Sequence, residues 1–542
     1  MLLAVTLVLS GVISHADELT SAASEPSNFA VAAARPAAAR STAATPDAVT
    51  AKRVLLIGDS VLDQQGSAAA FLLRQSGVNA KAVGLWGSGL LTVDQYDYGH
   101  TKPSGTWLRK AKNQIATFDP DVVGVYLNHN YWPPFPHDAA GATIEDLWSP
   151  SGQEMIAQQA RALINIHRAR GAAVFFISPV PAGTISDPDP DAWSAIWHGY
   201  LPVLHAMHVG VADSAGPLED AAGLRVDTRA ACDGSQQRVR PPNDLHLTRF
   251  GAGLAGTTLA GFFAQLVHAP LRDDAAPGDS TAALVPTRDS RGYWLVGCDG
   301  SVYHFGNARP LRGASTKIAG HGGVVAAVGT PSGAGLWLIT ADGTIASVGD
   351  AALLRFDRQR TGAVTGAVAT PTGRGLLATT DAGVVLAAGD AHTIGDNTGA
   401  HAGANIVGIG ATRTGRGYWL VNRDGNVSAF GDAPLLGSVD SHALTSPITG
   451  IATTNDGRGY WLVNRDGSVF TFGDARFEGT ATWHPQPYPY NVLNAPPGPS
   501  VGIVATLAPA EGYWIFGATG RVVARGGAHG YGGDNNLAML TQ

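Results

Sequence analysis

The sequence predicts two architectures in one chain, a parallel α/β sheet covered by helices and then an all-β propeller. Three observations carry this. Between Lys52 and Ala269, short apolar runs alternate with amphipathic helical patterns, the order that builds a parallel sheet with helices on both faces. From Thr281 onward a Gly-Tyr-Trp-Leu-Val unit recurs at a spacing near 42 residues, the period of a propeller blade. Ahead of both, residues 17–51 are Ala, Ser, Thr and Pro with few large apolar side chains, a flexible spacer and not a core. The expected organisation is a leader at 1–16, a spacer at 17–51, the α/β domain at 52–269, a linker at 270–280 and the repeat domain at 281–542.

The first strand is Val54-Leu55-Leu56-Ile57, four apolar residues suited to a buried parallel strand, and it ends on Gly58-Asp59-Ser60. A helix is expected over Ser67–Gln75. Lys81–Val83 is a second short strand, running into Gly84-Leu85-Trp86-Gly87-Ser88-Gly89. Thr106–Phe118 is amphipathic and stops before Asp119-Pro120, and Val122–Leu127 is the third strand, ending at Asn128-His129-Asn130. Gln153–Arg170 is a long helix closed by Gly171, and Ala173–Ile177 is the fourth strand. Asp191–Met207 is a helix with Asp191 as N-cap, Val209–Ala212 the last strand, and Phe250–Val267 the final helix. That final helix is uncharged over eighteen residues, long enough to invite a membrane span; its Gly and Thr content and its place closing an α/β unit make it a half-buried core helix. Asp187, Asp189 and Asp191 alternate as in a calcium loop. Pro188 and Pro190 between them, the missing loop glycine and His198 in place of a closing Glu make the stretch a solvated turn.

The net charge of −7 and the lack of any basic run argue against a nucleic-acid partner. Leu2–Ile13 is an unbroken run of apolar and small residues, and Ser14-His15-Ala16 fits a small-x-small cleavage site, so export with cleavage is expected, leaving no membrane span. One departure is that no basic residue precedes the run; the first is Arg35. Only two cysteines occur, Cys232 and Cys298, with no metal-ligand spacing. In an oxidising compartment they could pair; two free thiols are equally compatible with the sequence. His129, His137 and His198 form no ligand triplet and read as surface or packing residues, so neither metal nor cofactor is expected.

Chemistry emerges when the strand ends are lined up. Ser60 ends strand one, a Gly-Ser-Gly turn ends strand two, Asn128-His129-Asn130 ends strand three, and Arg240-Pro241-Pro242-Asn243-Asp244-Leu245-His246-Leu247-Thr248 precedes the last helix. In open α/β sheets these ends share one rim, where ligands bind. A serine hydroxyl becomes a nucleophile when an imidazole within hydrogen-bond reach takes its proton, and the intermediate needs preorganised N–H donors.

On these residues the segment 52–269 resembles the SGNH (GDSL-type) hydrolases, serine esterases and deacetylases on a flavodoxin-like three-layer α/β fold. The resemblance implies Ser60 as nucleophile and His246 as base. It places the oxyanion donors on the Ser60 N–H, on Gly87 or Gly89, and on the Asn130 side chain, with Pro120-Asp121-Val122-Val123 setting that alignment. The third block is matched only in part, because Asn128 stands in place of the family's Gly and Tyr131 in place of its Asp. The last block departs further: the family's Asp, three residues before the His, is Asn243 here, with Asp244 one place later. An Asp orients the imidazole, and its change to Asn in a serine protease lowers kcat about 10⁴-fold. Three readings stand: Asp244 takes over through a shifted loop, the pair acts as a Ser–His dyad, or the domain is catalytically weak. The implied substrate is an ester, an O-acylated polysaccharide or cell-wall glycan, with an exported binding or scaffold protein as the alternative. The sequence leaves the oligomeric state open.

In the repeat region the anchor position (294, 337, 377, 419, 461, 514) steps by 43, 40, 42, 42 and 53. Each unit reads as a strand, an Asp-Gly turn such as Asp424-Gly425, and a second strand ending in Phe-Gly-Asp, with a further strand ahead as at Ile406–Ile409 and Ile448–Ala452. Six units predict six blades, or seven if a degenerate one is hidden. The unit resembles the Gly-Tyr-Trp-Leu-Val repeat of secreted bacterial proteins. Asp350, Asp390, Asp432 and Asp474 are expected to cap strand ends, with calcium binding as the alternative. The third unit has lost its aromatics at Leu376-Leu377, and the insertion His484–Pro499 reads as an exposed loop, with His484–Tyr490 as the candidate ligand edge.

Overall fold

Arg53–Gly58 forms β1, with only Arg53 short of full burial, as the apolar run requires. The computed structural model describes residues 53–85, 94–97, 100–103, 107–127, 146–180, 190–220, 225–232, 236–240, 246–269, 271, 281–313, 318, 320–357, 362–398, 405–439, 444–481, 500–507 and 511–533. The leader, the spacer, most of the 270–280 linker, Asp187, Asp189 and the His484–Pro499 insertion lie outside these residues.

After β1 come α1 (Ser60–Gln75), β2 (Asn79–Gly84), a hairpin of β3 (Asp94–Asp97) and β4 (His100–Pro103), α2 (Trp107–Phe118), β5 (Val122–Tyr126), α3 (Pro150–Arg168), β6 (Ala173–Ile177), α4 (Pro190–Ala206) and β7 (Gly210–Ala212). A second hairpin, β8 (Thr228–Ala230) and β9 (Gln236–Arg238), leads to α5 (Arg249–Leu266). The main sheet has the order β2-β1-β5-β6-β7, every pair parallel. Its two faces follow from the strand period of two: Val54 and Leu56 pack with α1 and α5, while Leu55 and Ile57 pack with α2, α3 and α4. No helix among the described residues is long and apolar enough to cross a membrane. α5 instead buries Phe250, Ala255, Leu259 and Phe263.

Two expectations need correction. The first helix starts at Ser60, seven residues before the expected Ser67, because Asp59 caps it: Asp59 Oδ1 accepts the N–H groups of Val61 (3.0 Å) and Leu62 (3.3 Å). Asp63, Gln64 and Gln65 hid this start, since they are polar yet buried. The α4 helix starts at Pro190, whose fixed φ suits a first helical position, so Asp191 lies inside the first turn and is not the cap.

From Thr281 the chain makes six three-stranded antiparallel sheets among the described residues, a propeller-like β region. Their middle strands are Gly292–Gly297, Gly335–Thr340, Gly375–Thr380, Gly417–Asn422, Gly459–Asn464 and Gly512–Gly517, all fully buried. The first strands of successive sheets lie side by side, and that of the sixth lies beside that of the first. In five sheets the Trp indole N–H donates to the carbonyl fifteen residues on, as Trp419 does to Pro434 at 2.8 Å. The Gly-Asp endings tie the sheet's first turn: Asp350 accepts the hydroxyls of Thr330 (2.9 Å) and Ser332, and Asp390 those of Thr370 (2.8 Å) and Thr372 (2.6 Å). The Ser332 and Thr330 hydroxyls hold the Asp350 carboxyl below its usual range.

Neighbouring sheets are joined by a second device. The Tyr of Gly-Tyr-Trp donates its hydroxyl to a glycine carbonyl in the segment after the preceding sheet: Tyr418 to Gly395, Tyr460 to Gly437, Tyr513 to Gly479 (2.7 Å), and Tyr293 of the first sheet to Gly532 after the sixth. Where the Tyr is Leu336 or Leu376, the matching glycine is Arg312 or Arg355.

The two halves share a seam. Phe71, on the last turns of α1, meets Tyr303 edge-on at 5.2 Å and stacks on Phe305 at 6.4 Å. Gln75 Nε2 donates to His304 O (3.3 Å) and the His304 N–H donates to Gln75 Oε1 (3.1 Å), so one side-chain amide pairs with the edge strand Val302–Gly306 as a β-partner would. Cys232, in the turn of the β8–β9 hairpin, is disulfide-bonded to Cys298, just past the middle strand of the first three-stranded sheet, which settles the open question of the two thiols.

Candidate active site

The site is built where β1 stops. Gly58 is required there, because a Cβ would lie 2.2 Å from the Tyr126 carbonyl oxygen and 2.6 Å from Leu62 Cβ. Asp59, extended and fully buried, donates its N–H to Tyr126 O (3.2 Å) and caps α1 with its side chain. Ser60 is thereby the first residue of a sixteen-residue helix, at the end where the backbone dipoles favour developing negative charge.

His246 comes from the far end of the unit, and its Nε2 lies 2.9 Å from Ser60 Oγ across 186 residues of sequence. Four hydrogen bonds of the two residues that follow it hold it there. Leu247 N–H donates to Gln64 Oε1 at 2.7 Å, and Gln64 sits one helical turn after Ser60, so one clamp joins the histidine segment to the serine's own helix. The neighbouring Thr248 caps α5 by accepting the Gly251 N–H (3.1 Å). Thr248 also donates its hydroxyl to Arg238 O (2.6 Å) and its N–H to Val239 O (2.9 Å), which fixes the return from the hairpin. Gln64 is a positioning residue that the sequence reading missed; its signal was a polar side chain four residues after Ser60, on the same helix face.

Beneath the pair, Tyr126 ends β5 fully buried, and its hydroxyl accepts the Val180 N–H at 3.2 Å. Burial, with the Asp59 charge close by, pushes that hydroxyl well above the ordinary phenol range, so it stays neutral. Arg240 is 1% exposed and brings a cation to the same region, where it counters part of this shift. Of the residues expected at the site, Ser60 and His246 are brought together. Gly87, Gly89, Asn130, Asn243 and Asp244 lie outside the described residues.

On the same rim lies a second group. Asp146 Oδ1 accepts the Trp148 N–H (2.8 Å) just before α3, and the Trp148 ring sits 5.2 Å from the His198 ring of α4 at an interplanar angle of 50°. Gln153 Nε2 donates to Leu147 O (2.8 Å) and Ala195 O (3.0 Å), which turns its Oε1 to His198 Nδ1 at 3.1 Å.

No protein-family model matches the chain, and no curated protein matches it significantly. Among solved structures, the chain is similar to the β-propeller domain of Cps50 (Swd1) from Myceliophteria thermophila at 13% identity and TM-score 0.31, covering 46% of this chain and 96% of that one. It is also similar to a GDSL-like lipase from Bacteroides thetaiotaomicron at 13% identity and TM-score 0.26, covering 42% and 92%. A putative acylhydrolase from Bacteroides fragilis matches at 11% identity and TM-score 0.25, covering 40% and 86%.

Proposed function

We propose that the chain is a serine ester hydrolase of the SGNH type joined to a six-bladed propeller. The carrying observation is the 2.9 Å approach of His246 Nε2 to Ser60 Oγ, held by the Gln64 clamp and the Thr248 cap. In the reaction, Ser60 Oγ attacks the ester carbonyl carbon while His246 Nε2 takes the hydroxyl proton. The oxyanion forms near the start of α1, with the Ser60 N–H, Gly87 or Gly89, and Asn130 as its proposed donors. His246 then gives its proton to the leaving alkoxide, and an acyl-serine remains. Water, deprotonated by the same imidazole, attacks the acyl carbon; the acyl–Oγ bond breaks, Ser60 Oγ takes that proton back, and the carboxylic acid leaves. A sugar hydroxyl in place of water would make the reaction an acyl transfer. Asp244 or Asn243 is proposed to orient the ring.

Export is supported by the leader-like segment and by the Cys232–Cys298 cystine, which persists in oxidising compartments. Acyl esters of extracellular or cell-wall glycan are the proposed substrates. Six blades in a closed ring are supported by the Tyr293–Gly532 bond, which repeats at the last junction the device used at three earlier ones.

Turnover of p-nitrophenyl acetate by the purified chain tests this. Ser60→Ala should abolish the activity and also the labelling by a fluorophosphonate probe. Equal rates in the two proteins would refute the mechanism, and absent labelling would favour an exported binding protein.

A further inference from the structure

We infer that Trp148 and His198 form a sugar-binding platform beside the reaction site, so that the ester hydrolysed is carried on a pyranose ring. This rests on the hydrolase reading and assigns the residues that hold the sugar of its proposed glycan substrate. Trp148 is 47% exposed, and it is the one large hydrophobic side chain exposed in the α/β unit among the described residues; the other five are on the propeller. A single open indole is ordinary by itself; what marks this one is its place on the rim where open α/β sheets bind ligands and the His198 ring held against it.

The placement follows from the topology. α3 follows β5, the neighbour of β1 in the sheet, so the start of α3 lies at the carboxyl end of the strands, as Ser60 does. The Tyr200 hydroxyl of α4 donates to Leu127 O (2.6 Å), the first residue past β5, which brings this turn of α4 level with that end. Trp148 and His198 thus flank the rim from the α3–α4 face, while Ser60 and His246 stand over the α1–α5 face.

The group is built to hold its geometry. Both ends of the Gln153 amide are committed, its nitrogen to Leu147 O and Ala195 O, its oxygen to His198. Because an amide oxygen only accepts, His198 Nδ1 carries the hydrogen, and in the neutral ring Nε2 is left as an acceptor. The platform therefore offers a flat aromatic face with a hydrogen-bond acceptor beside it. A pyranose presents the complement: an apolar face of axial C–H groups and a rim of hydroxyl donors. An acyl chain without a sugar matches the indole but leaves the acceptor unused, and a peptide lacks the flat C–H face.

The test compares two substrates across Trp148→Ala, Trp148→Phe and His198→Ala: p-nitrophenyl acetate, which carries no sugar, and a xylo-oligosaccharide carrying O-acetyl groups. Trp148→Ala should raise KM for the oligosaccharide at least tenfold with kcat within twofold, and leave kcat/KM for p-nitrophenyl acetate within twofold. Trp148→Phe should restore most of the loss, and His198→Ala should show a smaller rise in KM. Unchanged oligosaccharide kinetics in Trp148→Ala, or an equal loss on both substrates, would overturn the platform while the hydrolase reading stood. If p-nitrophenyl acetate turnover proves independent of Ser60, the hydrolase reading fails. Calorimetric titration with xylohexaose then decides: binding by the wild type that Trp148→Ala weakens at least tenfold keeps the platform, and no binding removes it.

Discussion

Removing the cystine between Cys232 and Cys298 should cost the protein about 4 kcal/mol. The bridge joins residues 66 positions apart, and the chain-entropy relation for a loop of that length gives roughly 4.3 kcal/mol of lost constraint on the unfolded chain at 25 °C. For units of roughly 150–250 residues, each kcal/mol moves Tm by about 2–4 °C, so the expected fall is on the order of 10 °C. Scanning calorimetry of Cys232→Ser/Cys298→Ser against the wild type measures it, with the wild type in a phosphine reductant as a second arm. The cysteine also anchors the hairpin whose Arg238 and Val239 carbonyls hold Thr248, two residues after His246, so kcat on p-nitrophenyl acetate should fall more than KM rises. If Tm in both arms stays within about 2 °C of the oxidised wild type, the loop-closure reasoning is wrong for this bridge.

Two further perturbations test the packing. Tyr418→Phe and Tyr460→Phe each remove a hydroxyl that meets a glycine carbonyl of the preceding sheet, and each should cost about 1 kcal/mol in urea denaturation; unchanged midpoints would show the bond to be energetically idle. His167 is fully buried, its ring nitrogens have no hydrogen-bond partner among the described residues, and burial lowers its pKa to about 4. Below about pH 6.5 the unfolded chain takes up a proton that the native ring refuses. Stability should therefore fall between about pH 6.5 and 4, by up to roughly 3 kcal/mol. His167→Leu should flatten that slope in denaturant titrations, and an identical slope in both proteins would count against it.

Much of the parallel sheet was legible because its strands are short apolar runs with turn residues after them; Ala173–Ile177 matches to the residue. The start of α1 was not, since Asp63, Gln64 and Gln65 break the amphipathic period while being buried. Burial of polar groups is decided by tertiary partners, here the Leu247 N–H for Gln64, which no local pattern reveals. The β8–β9 hairpin was missed for the opposite reason: its three-residue strands are largely exposed, so no apolar alternation marks them. At the site, the Ser60–His246 pairing could be read from the motif context. The junctions between the three-stranded sheets could not be read one unit at a time, because each Tyr–Gly bond pairs one repeat with the next. Only the joint change to Leu336 with Arg312, and Leu376 with Arg355, leaves a trace in the letters.

The α1 helix reaches farther than its own unit. Sixteen residues make a rod about 24 Å long, with the Ser60 hydroxyl at one tip and Phe71 and Gln75 near the other, lodged on the first three-stranded sheet. A fragment ending before residue 281 would leave that far tip wet: a bare phenyl ring, an idle amide and half a cystine. Its assay would describe a damaged protein, and the β region is better regarded as the bedrock on which the serine's rod stands than as cargo that can be cut away.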